Sequence, residues 1–295
     1  MSQHALGHIV IQRIVESVCA DFHPSMFFPE TTPEDWMLHR KWMEQEPRAL
    51  DPASGNLILT IQAFLVRTRH HTILIDTCVG NDKPRLRRPF WHMQRLDTFL
   101  PRLAAAGVTP EGVDYVMCTH LHWDHVGWNT RLRDGRWVPT FPNAKYVFAR
   151  REWEAWQALH RQTPQPQIVD SILPVIEARQ AQFVGDDFAL DDEVWLEPTP
   201  GHTAGHVSIR LSSGDARAVI TGDCIHSPVQ CLEPEWIMQA DSDPVMARTT
   251  RRNFLERYCD NGGLVCATHF PEPSIGRIVR HDNAFRFSYA AGSSS

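Results

Sequence analysis

The chain has 295 residues, 42% of them hydrophobic, and a formal net charge of −6. That is enough apolar material for one sizeable core. Basic residues are scattered, apart from 83–88 (KPRLRR) and Arg251-Arg252, and no apolar run is long enough for a membrane helix, so no nucleic acid and no membrane are expected as partners. Seven cysteines without a CxxC pair argue against a disulfide framework and for reduced core thiols.

Residues 1–50 hold aromatics and prolines without a strong period and read as an N-terminal arm packing on a main domain over 51–288; 289–295 read as a disordered tail. Met1-Ser2-Gln3-His4 lacks the basic-then-apolar plan of a secretory signal, so a cytoplasmic protein is expected. Two β-rich runs, Leu57 to Val66 and Thr72 to Asp76, flank a polar segment and predict a hairpin. A helix is expected over Thr98 to Ala106, with Asp97 as N-cap, Pro101 in the first turn and Gly107 as its stop. Val113 to Thr119 reads as a strand. Arg150 to Gln162 has helical spacing of Trp153, Trp156, Leu159 and His160, and Ile168 to Arg179 reads as a second helix. Strands follow at Glu193 to Glu197, Val207 to Leu211 and Ala216 to Thr221. Asp243-Pro244 begins a helix that runs to Tyr258 before Asn261-Gly262-Gly263, and Leu264 to Ala267 is a last strand.

The strand ending at Thr119 opens onto His120-Leu121-His122-Trp123-Asp124-His125, three imidazoles and a carboxylate in six residues. Burying such a set with nothing to bind would be costly, and these side chains ligate zinc and similar ions directly. In an extended segment His120 and His122 share a face, while a tight turn swings Asp124 and His125 toward a second position. The bland alternative is a histidine-rich surface loop, which this spacing disfavours. Further polar residues stand at strand ends: Thr199 to His206 (TPGHTAGH), where glycines permit sharp turns and expose His202; Thr221-Gly222-Asp223; and His269. Asp76 closes an early strand and can accept the free ring N–H of a ligand histidine. No GxSxG elbow is present, so no serine nucleophile is implied.

The ordered set HxHxDH, TPGHTxGH, GD and a late histidine, over Leu57 to Pro271, closely resembles the metallo-β-lactamase fold superfamily of metal-dependent hydrolases. The resemblance implies an α/β fold, the αβ/βα four-layer sandwich of two mixed sheets flanked by helices. It also implies two divalent metal ions, zinc foremost, with iron, manganese or cobalt as alternatives. By match to the family pattern, His120, His122 and His202 bind the first ion, Asp124, His125 and His269 the second, and Asp223 bridges them. His206 matches a non-ligand histidine. The implied chemistry is attack by a metal-bridging hydroxide, with Asp124 both ligand and proton shuttle.

Gly222 to Gln230, Asp241-Ser242-Asp243-Pro244 and His125 to Asn129 resemble the branch holding acyl-homoserine lactonases, methyl-parathion-type hydrolases and chlorothalonil hydrolytic dehalogenases. The expected substrate is a small, largely apolar ester, lactone or phosphotriester. The alternatives are a dehalogenase of chlorinated aromatics or an iron-dependent redox member such as a persulfide dioxygenase. Lactonases of this kind commonly carry a tyrosine just after the bridging aspartate; here that neighbourhood offers His226, expected at the pocket as a donor to substrate. Trp123, Trp128, Phe27, Phe28 and Trp36 are candidates for an apolar wall. The N-terminal arm is expected either to line the pocket or to cover the interface of a homodimer.

Overall fold

The computed structural model describes residues 3–290. The chain begins with β1 (Gln3–Leu6) and β2 (Ile9–Phe22), then α1 (Pro24–Phe27) and α2 (Pro33–Met43). Next come β3 (Leu57–Arg67), β4 (Thr72–Ile75), α3 (Phe99–Ala105), β5 (Tyr115–Met117) and α4 (Trp123–Val126). A small hairpin, β6 (Thr130–Arg133) and β7 (Arg136–Pro139), precedes β8 (Lys145–Ala149), α5 (Arg150–Gln162), α6 (Leu173–Glu177) and β9 (Ala181–Val184). The second half holds β10 (Val194–Pro198), β11 (Val207–Ser213), β12 (Ala216–Ile220), α7 (Val229–Leu232), α8 (Pro244–Tyr258), β13 (Leu264–Cys266), β14 (Ile275–His281) and β15 (Ala284–Tyr289).

Among the described residues these strands form a seven-stranded sheet in the order β1-β2-β3-β4-β5-β8-β9 and a six-stranded sheet in the order β10 to β15. Both are mixed: β4, β5, β8 and β9 run parallel, as do β12 and β13. The sheets face one another across an apolar layer that joins Phe64, Ile75, Met117 and Val147 to Val194, Ile209, Ile220 and Cys266. Outer layers of helix cover the far faces, including α3, α5 and α6 on one side and α8 on the other. This is the αβ/βα four-layer sandwich, the arrangement open to two sheets that each carry two apolar faces. No helix among the described residues is long and apolar enough to cross a membrane.

Several expectations need correction. Gln3–Leu6 and Ile9–Phe22 are not an arm but two strands of the larger sheet, with β2 paired along β3. The run from Ile9 to Glu16 is buried nearly without alternation, so it lacks the period of two that marks a half-exposed strand. The N-cap of α3 is Thr98 rather than Asp97, and its hydroxyl donates to the Glu16 carbonyl instead of capping the helix. The helix expected over 168–179 opens as a π-turn at Ile168–Ile172 before α6, and Arg179 beyond it has a positive φ. Tyr289, placed in the tail, is the last residue of β15 and pairs with Gly276 of β14; residues 291–295 of that tail lie outside the described residues.

Candidate metal centre

The polar strand ends converge at one edge of the sandwich. Beyond β4, Asp76 takes a φ of 60°, a left-handed conformation that aspartate tolerates. Its Oδ1 accepts from the Thr119 amide at 2.8 Å and its Oδ2 from the His125 ring at 2.9 Å, so it ties the start of the histidine run to its end. His122 stands at the N-cap of α4, whose single turn carries Asp124 and His125 round to the other side. Beyond β12, Gly222 has φ 53°, and a Cβ there would meet His206 Nε2 at 2.6 Å and Thr119 Cβ at 2.8 Å. Only glycine fits, and the next residue, Asp223, is thereby brought up to the histidines.

Two neighbouring groups of ligand atoms result, each with all its atoms within 4.8 Å of one another: His120, His122, His202 and Asp223 in the first, Asp124, His125 and His269 in the second; a third, His202, His226 and Asp241, overlaps the first. His122 Nδ1 lies 2.9 Å from His120 Nε2 and 2.8 Å from His202 Nε2. Three imidazole nitrogens so close cannot all be satisfied by sharing protons among themselves. Asp223 Oδ1 is 3.1 Å from His125 Nε2 and 3.0 Å from His269 Nε2, yet accepts a hydrogen bond from neither. In the second group, too, nitrogen faces nitrogen, His269 Nε2 lying 3.2 Å from His125 Nε2. Nitrogen and carboxylate donors in that convergence fit divalent cations of the zinc type.

Outward, each group is braced. His202 Nδ1 bonds Asp241 Oδ1 at 2.8 Å, and Asp241 Oδ2 lies 3.2 Å from the buried guanidinium of Arg251. His269 Nδ1 bonds the Thr60 carbonyl at 3.0 Å. His206 accepts from the Asp223 amide at 2.8 Å through Nε2 and reaches the Thr199 carbonyl through Nδ1, so it holds a ligand's backbone and is not one of the converging donors. Such partners fix ring orientation and tautomer around a metal.

The electrostatics differ between rings. Burial drives His120 and His122 well below the ordinary imidazole value. Burial acts on His125 and His269 in the same direction and is the largest single influence, but Asp223 together with Asp76 and Asp124 at His125, and with Asp124 at His269, outweighs it, and both are raised. His202 is lifted against burial to about 9 by Asp223 and Asp241. Asp223, opposed by burial, is held well below the carboxylate range by His125, His269 and His226. It is an anion facing neutral and cationic rings.

A cavity of about 190 Å³ opens onto the two groups, with His122, Asp124, His202, Asp223 and His269 in its wall. His226 lines it too, with its Nε2 3.2 Å from Asp223 Oδ2 and both ring nitrogens buried without a hydrogen bond. Burial lowers its pKa, so the ring is neutral. Of the aromatics expected at a wall, Phe27 and Trp123 line the cavity, joined by Phe22, Trp91 and Trp156. Trp128 instead stacks on Phe99 in the core, and Phe28 and Trp36 pack around Trp236. Sequence reasoning missed Arg88, on the cavity wall, and Glu152, buried beneath the histidine loop. Neither had a signal: one lies in a basic run, the other in the first turn of a helix, where acidic residues commonly offset the helix dipole.

A four-layer sandwich with this edge cluster defines a class of metal-dependent hydrolytic protein. The model of the metallo-beta-lactamase superfamily matches residues 59–258, and the chain belongs to that family. The N-acyl homoserine lactonase AiiA of Bacillus thuringiensis subsp. kurstaki is 28% identical over 183 residues, 58% of this chain and 66% of the relative. The chain thus spans just under two thirds of the length of the curated relatives it matches first. Among solved structures, the hydrolase AbOPH of the beta lactamase superfamily superposes with a TM-score of 0.81 at 26% identity, covering 99% of this chain and 98% of that one. AidC, a dizinc quorum-quenching lactonase in complex with a product, N-hexnoyl-L-homoserine, does so with a TM-score of 0.78 at 21% identity, covering 98% and 97%. At that identity the second likeness speaks to the fold alone.

Proposed function

We propose that this chain is a binuclear metal-dependent hydrolase acting on a small, largely apolar ester, lactone or phosphotriester. One observation carries the reading: His120, His122, His202 and Asp223 lie together beside Asp124, His125 and His269, with Asp223 Oδ1 3.1 Å from His125 Nε2 and 3.0 Å from His269 Nε2, and an aromatic-walled cavity opens onto them. His120, His122 and His202 would hold the first cation, Asp124, His125 and His269 the second, with Asp223 between them. When bound, two such cations lower the pKa of water and polarise a carbonyl or phosphoryl oxygen. The lactonase relatives support a lactone among the substrates.

The protein's own groups supply the rest. The neutral His226 ring, without any other hydrogen bond, donates an N–H to the substrate's carbonyl or phosphoryl oxygen. Asp124, part-exposed on the cavity wall, carries the proton from the attacking water to the leaving oxygen. Phe22, Phe27, Trp91, Trp123 and Trp156 desolvate the substrate's apolar part. The test is a hydrolysis screen of zinc-loaded protein against lactones, aryl esters, phosphotriesters and chlorinated aromatics, with Asp223→Ala as blank. Turnover of at least one of the first three, lost in the blank, is expected; equal rates in both proteins would end the reading. His226→Ala should then slow turnover about 10- to 100-fold, from the loss of one hydrogen bond to a developing charge.

A further inference from the structure

Glu152 belongs to neither ligand group, yet it touches three parts of the first. It lies in the first turn of α5 and is 1% exposed. Its Oε1 accepts from the Leu121 amide, the peptide between His120 and His122, at 3.0 Å, and from Trp156 Nε1 at 2.7 Å. Its Oε2 accepts at 2.9 Å from the amide of Gly205, in the loop that carries His202 and His206. The Trp156 ring stands edge-on to His122, with centroids 5.4 Å apart, and forms part of the cavity wall. One carboxylate joins both ligand-bearing loops to the surface that faces substrate.

The burial is costly. No cation pairs with Glu152 among the described residues, and burial raises its pKa against the pull of its N–H donors. An apolar side chain would leave the Leu121 and Gly205 amides and Trp156 Nε1 without this acceptor, so the carboxyl group is what holds the two loops and the wall together. Contact is also close: a Cβ on Gly205 would lie 2.2 Å from the Glu152 nitrogen, so α5 is pressed against the His202 loop. Glu16 is the natural comparison. It is a second buried carboxylate that accepts from the Val79 and Gly80 amides and Trp128 Nε1, at a loop that carries no ligand.

We propose that Glu152 is a positioning residue that sets the spacing of His120, His122 and His202 and couples it to the Trp156 wall. The first group's cation affinity and the shape of the cavity are therefore fixed together. This rests on the reading of the site as a metal centre. Glu152→Gln keeps the volume but turns an amide NH2 against one of the N–H donors.

The test is a zinc titration of the chelator-stripped full chain in competition with an indicator chelator, read alongside tryptophan emission. Wild type should bind in two steps, with the Trp156 contribution, identified by Trp156→Phe, changing on one of them. In Glu152→Gln one step should weaken 10- to 100-fold, the range seen when an outer partner of a ligand is lost, with the other step unchanged and the Trp156 response gone. Glu16→Gln should lower the melting temperature and leave both steps in place. Should Glu152→Gln fail to fold, Glu152→Asp, which withdraws the charge by one methylene, must weaken the same single step. Unchanged affinities in the Glu152 variants, or equal loss in both steps matched by Glu16→Gln, overturn the proposal alone. A wild-type chain that takes up no zinc overturns the metal reading and this inference with it.

Discussion

The histidine cluster around Asp223 and the cluster of Lys83, Arg85 and Asp170 are both largely buried, but the second pairs its opposite charges more fully within the protein. Asp170 receives both Arg85 terminal nitrogens, at 2.6 and 3.0 Å, and the Ser171 hydroxyl at 2.6 Å. Lys83 donates to Thr130 and to the Asp170 carbonyl while its ammonium lies 3.7 Å from the centre of the Trp137 ring. Charges there are matched within the protein, and the cluster pins the 83–85 loop to the π-turn. Around Asp223, nitrogens face nitrogens and a carboxylate oxygen is left over. A buried network that cannot close on itself is organised for a group from outside.

Three variants sharpen the contrast. Asp170→Ala strands two buried cations and should cost about 3–5 kcal/mol in denaturant unfolding while the folded fraction keeps its zinc affinity. If zinc affinity fell in step with stability, the two clusters would not be separable. Asp241→Asn should do the reverse: it replaces the carboxylate behind His202 with a neutral amide and should weaken zinc about 10- to 100-fold in the competition titration, with a smaller stability loss. The smallest effect concerns pH. Burial lowers Lys83 to about 7 from 10.5, so between those values the unfolded chain binds more protons and stability rises with pH. Lys83→Met should lose that rise, up to about 1.4 kcal/mol per pH unit, in unfolding measured from pH 7 to 9. Parallel pH curves for the two proteins would show that Lys83 is not buried as described.

The ligands were legible because metal chemistry restricts residue type and spacing together. His120, His122, Asp124 and His125 lie within six residues, and His202, Asp223 and His269 each follow a strand. The bracing was not legible, because a carboxylate that holds a peptide looks like any other acidic residue. Asp76 stood out only by closing a strand, and Glu152 resembled a solvated helix start. Amphipathic or well-capped elements were likewise readable, as for α5 and for α8, where Asp243 accepts from the Met246 amide. β2 was not, since a strand buried on both faces carries no alternation. The cavity wall was read in part: Phe27 reaches it while Phe28 beside it turns into the cluster around Trp236, a choice made by packing and not by residue type.

The most direct test of the account is anomalous X-ray diffraction at the zinc edge from crystals of the zinc-loaded protein. Two peaks are expected on either side of Asp223, one among His120, His122 and His202 and one among Asp124, His125 and His269. A single peak, or zinc only at surface histidines, would contradict a two-cation centre.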